Sequence, residues 1–268
     1  MDGTPRNAAP REPVFNAPAV VVGLAALLVG LYAVFSWAAP ETQDKIVRNL
    51  AFIPGRLTVS IWPARAIDLM MKADSDPAAL EQVREMRDLH ALSAGAKPWT
   101  LITYAFLHGG WPHVLLNVVW LLAFGPPVAR RFGTSGFLIF VAVTAVAAAL
   151  AQWAAAQMEF APLIGASGAD SGLMGAATRF MFQPGAPLGP HAHGRREIEA
   201  IPAGSLRSMV ADPRPRVFLV VWLVTNLIFG AFAQEFGLSD MPVAWIAHLG
   251  GFFAGLVIFP LFDRGRAS

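Results

Sequence analysis

Five stretches of this 268-residue chain contain no Asp, Glu, Lys or Arg: 13–40, 98–129, 132–158, 217–234 and 241–262. Each approaches or exceeds the ~20 apolar residues that carry a helix across ~30 Å of hydrocarbon. With 14% charged residues, the composition also falls well short of the ~25% usual in soluble domains. In lipid the backbone must satisfy its own polar groups, and runs of this length do so as helices. The sequence therefore predicts an all-α membrane protein.

Six spans are expected: Pro18–Ala38, Trp111–Ala129, Ser135–Gln157, a short fourth at Gly168–Phe182, Val217–Gln234 and Val243–Phe262. The first exceeds the ~7–15-residue apolar core of a cleavable signal, so it reads as a retained helix. The fourth gives only ~22 Å of helix at 1.5 Å per residue and cannot cross alone. The irregular segment Phe160–Ser167 before it must then enter the membrane, which is tolerated only where protein buries it or it lines a wet cavity. The fold class is thus a six-transmembrane-helix bundle with a short, partly buried fourth helix. Its organisation is a leader (1–17), a membrane domain (18–262) with an outer loop (39–98) and an inner loop (184–214), and a tail (263–268).

Arg6 and Arg11, Arg130 and Arg131, Arg195, Arg196, Arg207, Arg214 and Arg216, and Arg264 and Arg266 all fall on one side of such a bundle. The positive-inside rule places that side, and both termini, in the cytoplasm, with a bacterial inner membrane as the expected site. The 39–98 segment on the other side balances eight basic against eight acidic residues. It is expected to be a partly helical loop resting on the bundle; the alternative is an amphipathic element in the interface over Leu50–Ile67. A net charge of +2, with basic residues scattered over loops, excludes nucleic acid as a partner.

The chain has no cysteine, so any chemistry must use Ser, His, Asp, Glu or Asn. No metal or other cofactor is expected, since the His191-x-His193 pair lacks further credible ligands. Polar groups in the spans are costly and need a partner or a purpose. They are His108, His113 and Asn117; Ser167, Asp170 and Ser171; Asn226; and His248. His113 and Asn117 are one helical turn apart on one face. Ser167, in Gly165-Ala-Ser-Gly168, starts a helix where glycines leave its hydroxyl accessible. Gly251 and Gly255 share a face with His248 and invite close packing against Gly168, Gly172 and Gly175, which would bring imidazole to hydroxyl. His108 reads as structural, and Asn226 as a hydrogen bond across helices.

Three motifs then resemble the rhomboid family of intramembrane serine proteases: His108-Gly-Gly-Trp-Pro-His113-Val-Leu-Leu-Asn117, Gly165-Ala-Ser167-Gly, and Ala247-His248-Leu-Gly-Gly251-Phe-Phe-Ala-Gly255. The resemblance covers about Trp99 to Phe262 and matches the six-span basic form. It implies Ser167 as nucleophile, His248 as general base, and His113 and Asn117 as oxyanion donors. It also implies transmembrane proteins as substrates, cleaved through an acyl-enzyme without metal or organic cofactor. The fifth span and the 235–242 connection, with Glu235, Gly237 and Asp240, would match the family's lateral gate and cap. The pattern departs in three places. Thr100 follows Trp99 where the family usually has Arg, Ser171 stands where an aromatic commonly supports the base, and Asp170 replaces an apolar residue. At i+3 and i+4 from Ser167, Asp170 and Ser171 are the candidate base-orienting residues. The runner-up function is a catalytically weak or inactive protein of the same fold that binds client membrane helices. A transporter is disfavoured by the lack of inverted repeats and paired broken helices.

Overall fold

The computed structural model describes residues 17–89, 91, 95–183, 186, 198, 201–232 and 244–263. Residues 1–16 of the leader, His191 and His193, the 235–242 connection, and Arg264 and Arg266 lie outside the described residues. Within them the chain is an all-α membrane bundle, and the sole β feature is one antiparallel bridge between Phe52 and Leu163. Among the described residues, three helices are long and apolar enough to cross a membrane: α1 (Ala19–Ser36), the 45-residue α7 (Trp111–Ala155) and α11 (Trp245–Phe262).

Helix α7 is two arms joined at Gly133, whose φ of 72° is a backbone conformation glycine adopts at no steric cost. His113 on one arm and Ala148 on the other both approach the segment around Gly165–Gly168, so the arms return to the same level as a hairpin. They correspond to the second and third expected spans, but the first arm continues past Ala129. It passes helically through Pro126 and Pro127, as neighbouring helices allow in a membrane bundle. Arg131 is not a solvated flank. Its buried guanidinium pairs with Asp263 at 2.8 Å, donates to the Ile198 and Ile201 carbonyls, and lies 4.9 Å from the Phe180 ring centre.

The short fourth span is α8 (Ser167–Met181), 15 residues long, and every residue from Gly168 to Phe180 is buried. Glycine allows this central position. A Cβ on Gly251 or Gly255 would strike the carbonyl oxygens of Gly168 and Gly172, and one on Gly175 would strike that of Phe252. On its other side, a Cβ on Gly168 would come within 2.6 Å of the Ala148 methyl. The backbones of α8 and α11 are thus in direct contact, the geometry small residues permit in lipid.

The outer loop folds into α2 (Pro40–Leu50), α3 (Pro54–Ile61), α4 (Ala64–Lys72) and α5 (Pro77–Asp88), followed by α6 (Thr100–Thr103) and a 3-10 turn over Tyr104–Phe106. It has its own apolar core of Ile53, Val59, Leu69, Val83, Met86 and Phe160. It therefore rests on the bundle as a small helical cap of its own. Arg56 is buried and donates to the carbonyls of Arg48 and Ala51, closing the end of α2. Burial lowers the Arg56 pKa to about 10, which leaves it charged at neutral pH. Trp99 donates through Nε1 to the Asn49 carbonyl at 2.9 Å.

After α8, α9 (Leu206–Ala211) leads into α10 (Pro213–Phe232), the fifth expected span.

Candidate active site

The segment entering α8 is held from the outer loop by backbone hydrogen bonds. Phe52 and Leu163 exchange N–H···O bonds of 3.2 and 2.8 Å, the Gly55 amide donates to the Glu159 carbonyl, and the Gly165 amide donates to that of Tyr104. The Phe160 ring fills the space a Cβ on Gly55 would need. The irregular backbone expected inside the membrane is thus tied to protein at Glu159, Leu163 and Gly165, and Phe160, Leu163, Gly165 and Ala166 are buried, as irregular backbone within a membrane requires. Gly165 sits at φ +112°, a region closed to ordinary side chains, and this turn delivers Ser167 as the first residue of α8.

His248 faces Ser167 from the first turn of α11, and Nε2 lies 2.8 Å from the serine Oγ. The α8–α11 contact sets this distance, because His248 is one turn before Gly251, which packs on the Gly168 carbonyl. Both side chains are part-buried, so the pair remains reachable. The other ring nitrogen, Nδ1, lies 2.7 Å from Oδ1 of Asn226 on α10. Asn226 in turn donates from Nδ2 to the Trp245 carbonyl at 3.1 Å, which turns its oxygen toward the ring.

His113 and Asn117 stand on the far side of Gly165, where an ideal Cβ would come within 2.6 Å of His113 Nε2 and 3.6 Å of Asn117 Nδ2. His113 Nδ1 accepts from the Gly109 amide at 3.4 Å, so in the neutral ring the proton sits on Nε2, facing the site. The Asn117 Nδ2 is buried without a hydrogen-bond partner among the described residues. Two N–H donors therefore converge on Gly165, two residues before the serine, and one of them has no partner among the described residues. His108 is buried edge-on against His113, with ring centres 5.1 Å apart, which fits a structural role.

The candidate base-orienting residues are not at the ring. Asp170 and Ser171 are buried in α8, Asp170 Oδ2 has no partner among the described residues, and the Nδ1 contact is made by Asn226 instead. The reason is geometric. With Nε2 on Ser167, the second nitrogen points away from the helix that carries the serine. Asn226 was legible as an intramembrane amide, but its partner was not, because 22 residues and a change of helix separate the two. Among the described residues, no group of three or more His, Cys, Asp or Glu could hold a metal ion.

In this membrane bundle a short glycine-lined central helix begins with a serine that faces an imidazole. The rhomboid domain family model matches residues 95–264, and the chain belongs to the rhomboid family. It is similar to the rhomboid protease GlpG of Yersinia pseudotuberculosis serotype I (strain IP32953), 25% identical over 235 residues, covering 85% of this chain and 72% of the relative. GlpG of Yersinia pestis (strain Pestoides F) is 26% identical over 237 residues with the same coverage. GlpG of Serratia proteamaculans (strain 568) is 30% identical over 169 residues, covering 63% of this chain and 50% of the relative.

Proposed function

We propose that the chain is an intramembrane serine endopeptidase that cleaves transmembrane segments of other membrane proteins. The observation that carries the reading is the 2.8 Å contact between Ser167 Oγ and His248 Nε2. In the reaction, Oγ attacks the scissile carbonyl as its proton passes to Nε2, since a serine hydroxyl is a weak nucleophile until an adjacent base takes that proton. The oxygen of the tetrahedral intermediate turns toward Gly165, where His113 Nε2–H and Asn117 Nδ2–H donate to it. Nε2–H then protonates the departing amine, leaving an acyl-enzyme on Ser167. A water that gives its proton to the same nitrogen releases it.

In this reading α10 is the gate through which a substrate helix enters, and the site lies toward the outer face with both termini in the cytoplasm. The distribution of arginines supports that orientation, and the bacterial relatives support an inner membrane.

A fluorophosphonate probe on the detergent-solubilised chain tests the nucleophile. Wild type is expected to be labelled and Ser167→Ala not, with unchanged thermal stability; equal labelling of both would remove Ser167 from the mechanism. Asn117→Ala is expected to lower kcat by roughly 10²–10³-fold, the usual cost of losing one oxyanion donor. Single-turnover cleavage of a reconstituted transmembrane substrate measures that loss.

A further inference from the structure

We propose that Asn226 is a positioning residue that completes a Ser167–His248–Asn226 relay, fixing the imidazole as the Nδ1–H tautomer with its Nε2 lone pair on the serine. The proposal rests on reading Ser167 and His248 as nucleophile and base.

The direction of each hydrogen bond follows from the one before it. The Trp245 carbonyl can only accept, so the group 3.1 Å from it must be the Asn226 amide nitrogen. That leaves the Asn226 oxygen facing the ring at 2.7 Å, and an oxygen can only accept. His248 Nδ1 must then carry the proton, and neutral imidazole has one, so Nε2 is bare. A bare Nε2 at 2.8 Å from Oγ can only accept the serine proton. One backbone carbonyl thus sets, through the Asn226 amide, which nitrogen of the base is free to act.

Without Asn226 the ring is free to place its proton on Nε2, where it donates to Oγ and cannot serve as a base. It also loses the contact that fixes its plane, since Ser171 offers no ring to stack on. Asn226 itself is buried, so its oxygen is shielded from competing solvent. It acts through His248 and does not touch the reacting atoms. The same logic of base and orienting group recurs in hydrolases of unrelated fold. Here the third group arrives from a different membrane helix from either of the other two.

Two measurements decide the proposal. The first uses the wild-type chain in detergent with 15N-labelled histidine, His248 being assigned by its absence from a His248→Gln sample. At neutral charge, a pyrrole-type Nδ1 and a pyridine-type Nε2 are expected; a proton on Nε2 would overturn the relay. The second compares turnover of a transmembrane substrate in liposomes by Asn226→Leu and Asn226→Asp. Leucine, which cannot accept, is expected to lower kcat by about 10- to 100-fold with KM within about twofold, part of the ~10²–10⁴ that a placed base contributes. Aspartate, which keeps the acceptor, is expected to restore most of that loss. Unchanged kcat in Asn226→Leu, or a change confined to KM, would refute the role. Should the leucine variant fail to fold, the wild-type tautomer decides for or against the relay by itself. Cleavage surviving in Ser167→Ala would instead sink the protease reading, an outcome distinct from loss in Ser167→Ala with no effect at Asn226.

Discussion

Helices α8 and α10 are neighbours of the same helix, α11, yet they meet it in opposite ways. Along α8 the contact is backbone on backbone, with glycines at Gly168, Gly172 and Gly175 facing Gly251, Phe252 and Gly255, and no residue from Gly168 to Phe180 is exposed. Along α10 the contact is made by a few side chains. Trp222 stacks on Phe252 with ring centres 4.1 Å apart, Trp245 packs on Gly230, and Asn226 reaches His248. Most of the remaining α10 surface, including Val220 and Val221 at 54% and 58% exposure, faces outward. An apolar groove of about 350 Å³ runs between α10 and α11 beside α9, with Leu219, Leu223 and Leu256 among its walls. Ser167 and His248 therefore stand on a close-packed backbone seam, whereas α10 meets α11 through a few side chains.

The sharpest way to break this contrast is Gly251→Val. Its side chain would meet the Gly168 carbonyl, and two backbones cannot yield as a flexible side chain can. Overpacking costs ~1–3 kcal/mol where neighbours can adjust, so the loss here is expected at or above that range. Fluorophosphonate labelling should vanish with it; a folded, labelled Gly251→Val protein would show the seam to be compliant. Trp222→Ala is expected to be milder. Loss of one stacked pair costs ~1 kcal/mol, read as a drop in Tm, with faster hydrogen exchange confined to α10 and α8 unchanged. Exchange rising equally in both helices would erase the distinction. Least of all, Val221→Ala on the outward face should leave stability and turnover within about 0.5 kcal/mol of wild type.

How far the sequence carried the reading depended on whether a feature was local. The spans were legible because uncharged runs are counted along the chain, and the short central helix because Gly168–Phe182 is too brief to cross. Ser167 and His248 stood out because polar residues are scarce in the spans, and Gly251 and Gly255 pointed to how the two helices approach. The orienting group was not legible. Helical spacing favoured Asp170 and Ser171, but a ring engaged at one nitrogen turns its other nitrogen toward whichever third helix lies behind it, and spacing carries no record of that helix. The continuation of the second span past Ala129 to Gly133 was not legible for a related reason. Tertiary contacts of Arg131 with Asp263 and the Ile198 and Ile201 carbonyls hold the extended arm, where the linear pattern suggested a solvated end.

Asn226 rides on a helix that meets α11 through a few side chains, and its 2.7 Å bond to His248 would not survive a displacement of ~1 Å. If α10 is the gate of the proposed protease, an outward swing that admits a substrate would break the Asn226–His248 bond at the same moment. Under that proposal the scissile bond could be attacked only once the door had shut behind it, an interlock that would spare peptide segments that merely brush past the open threshold.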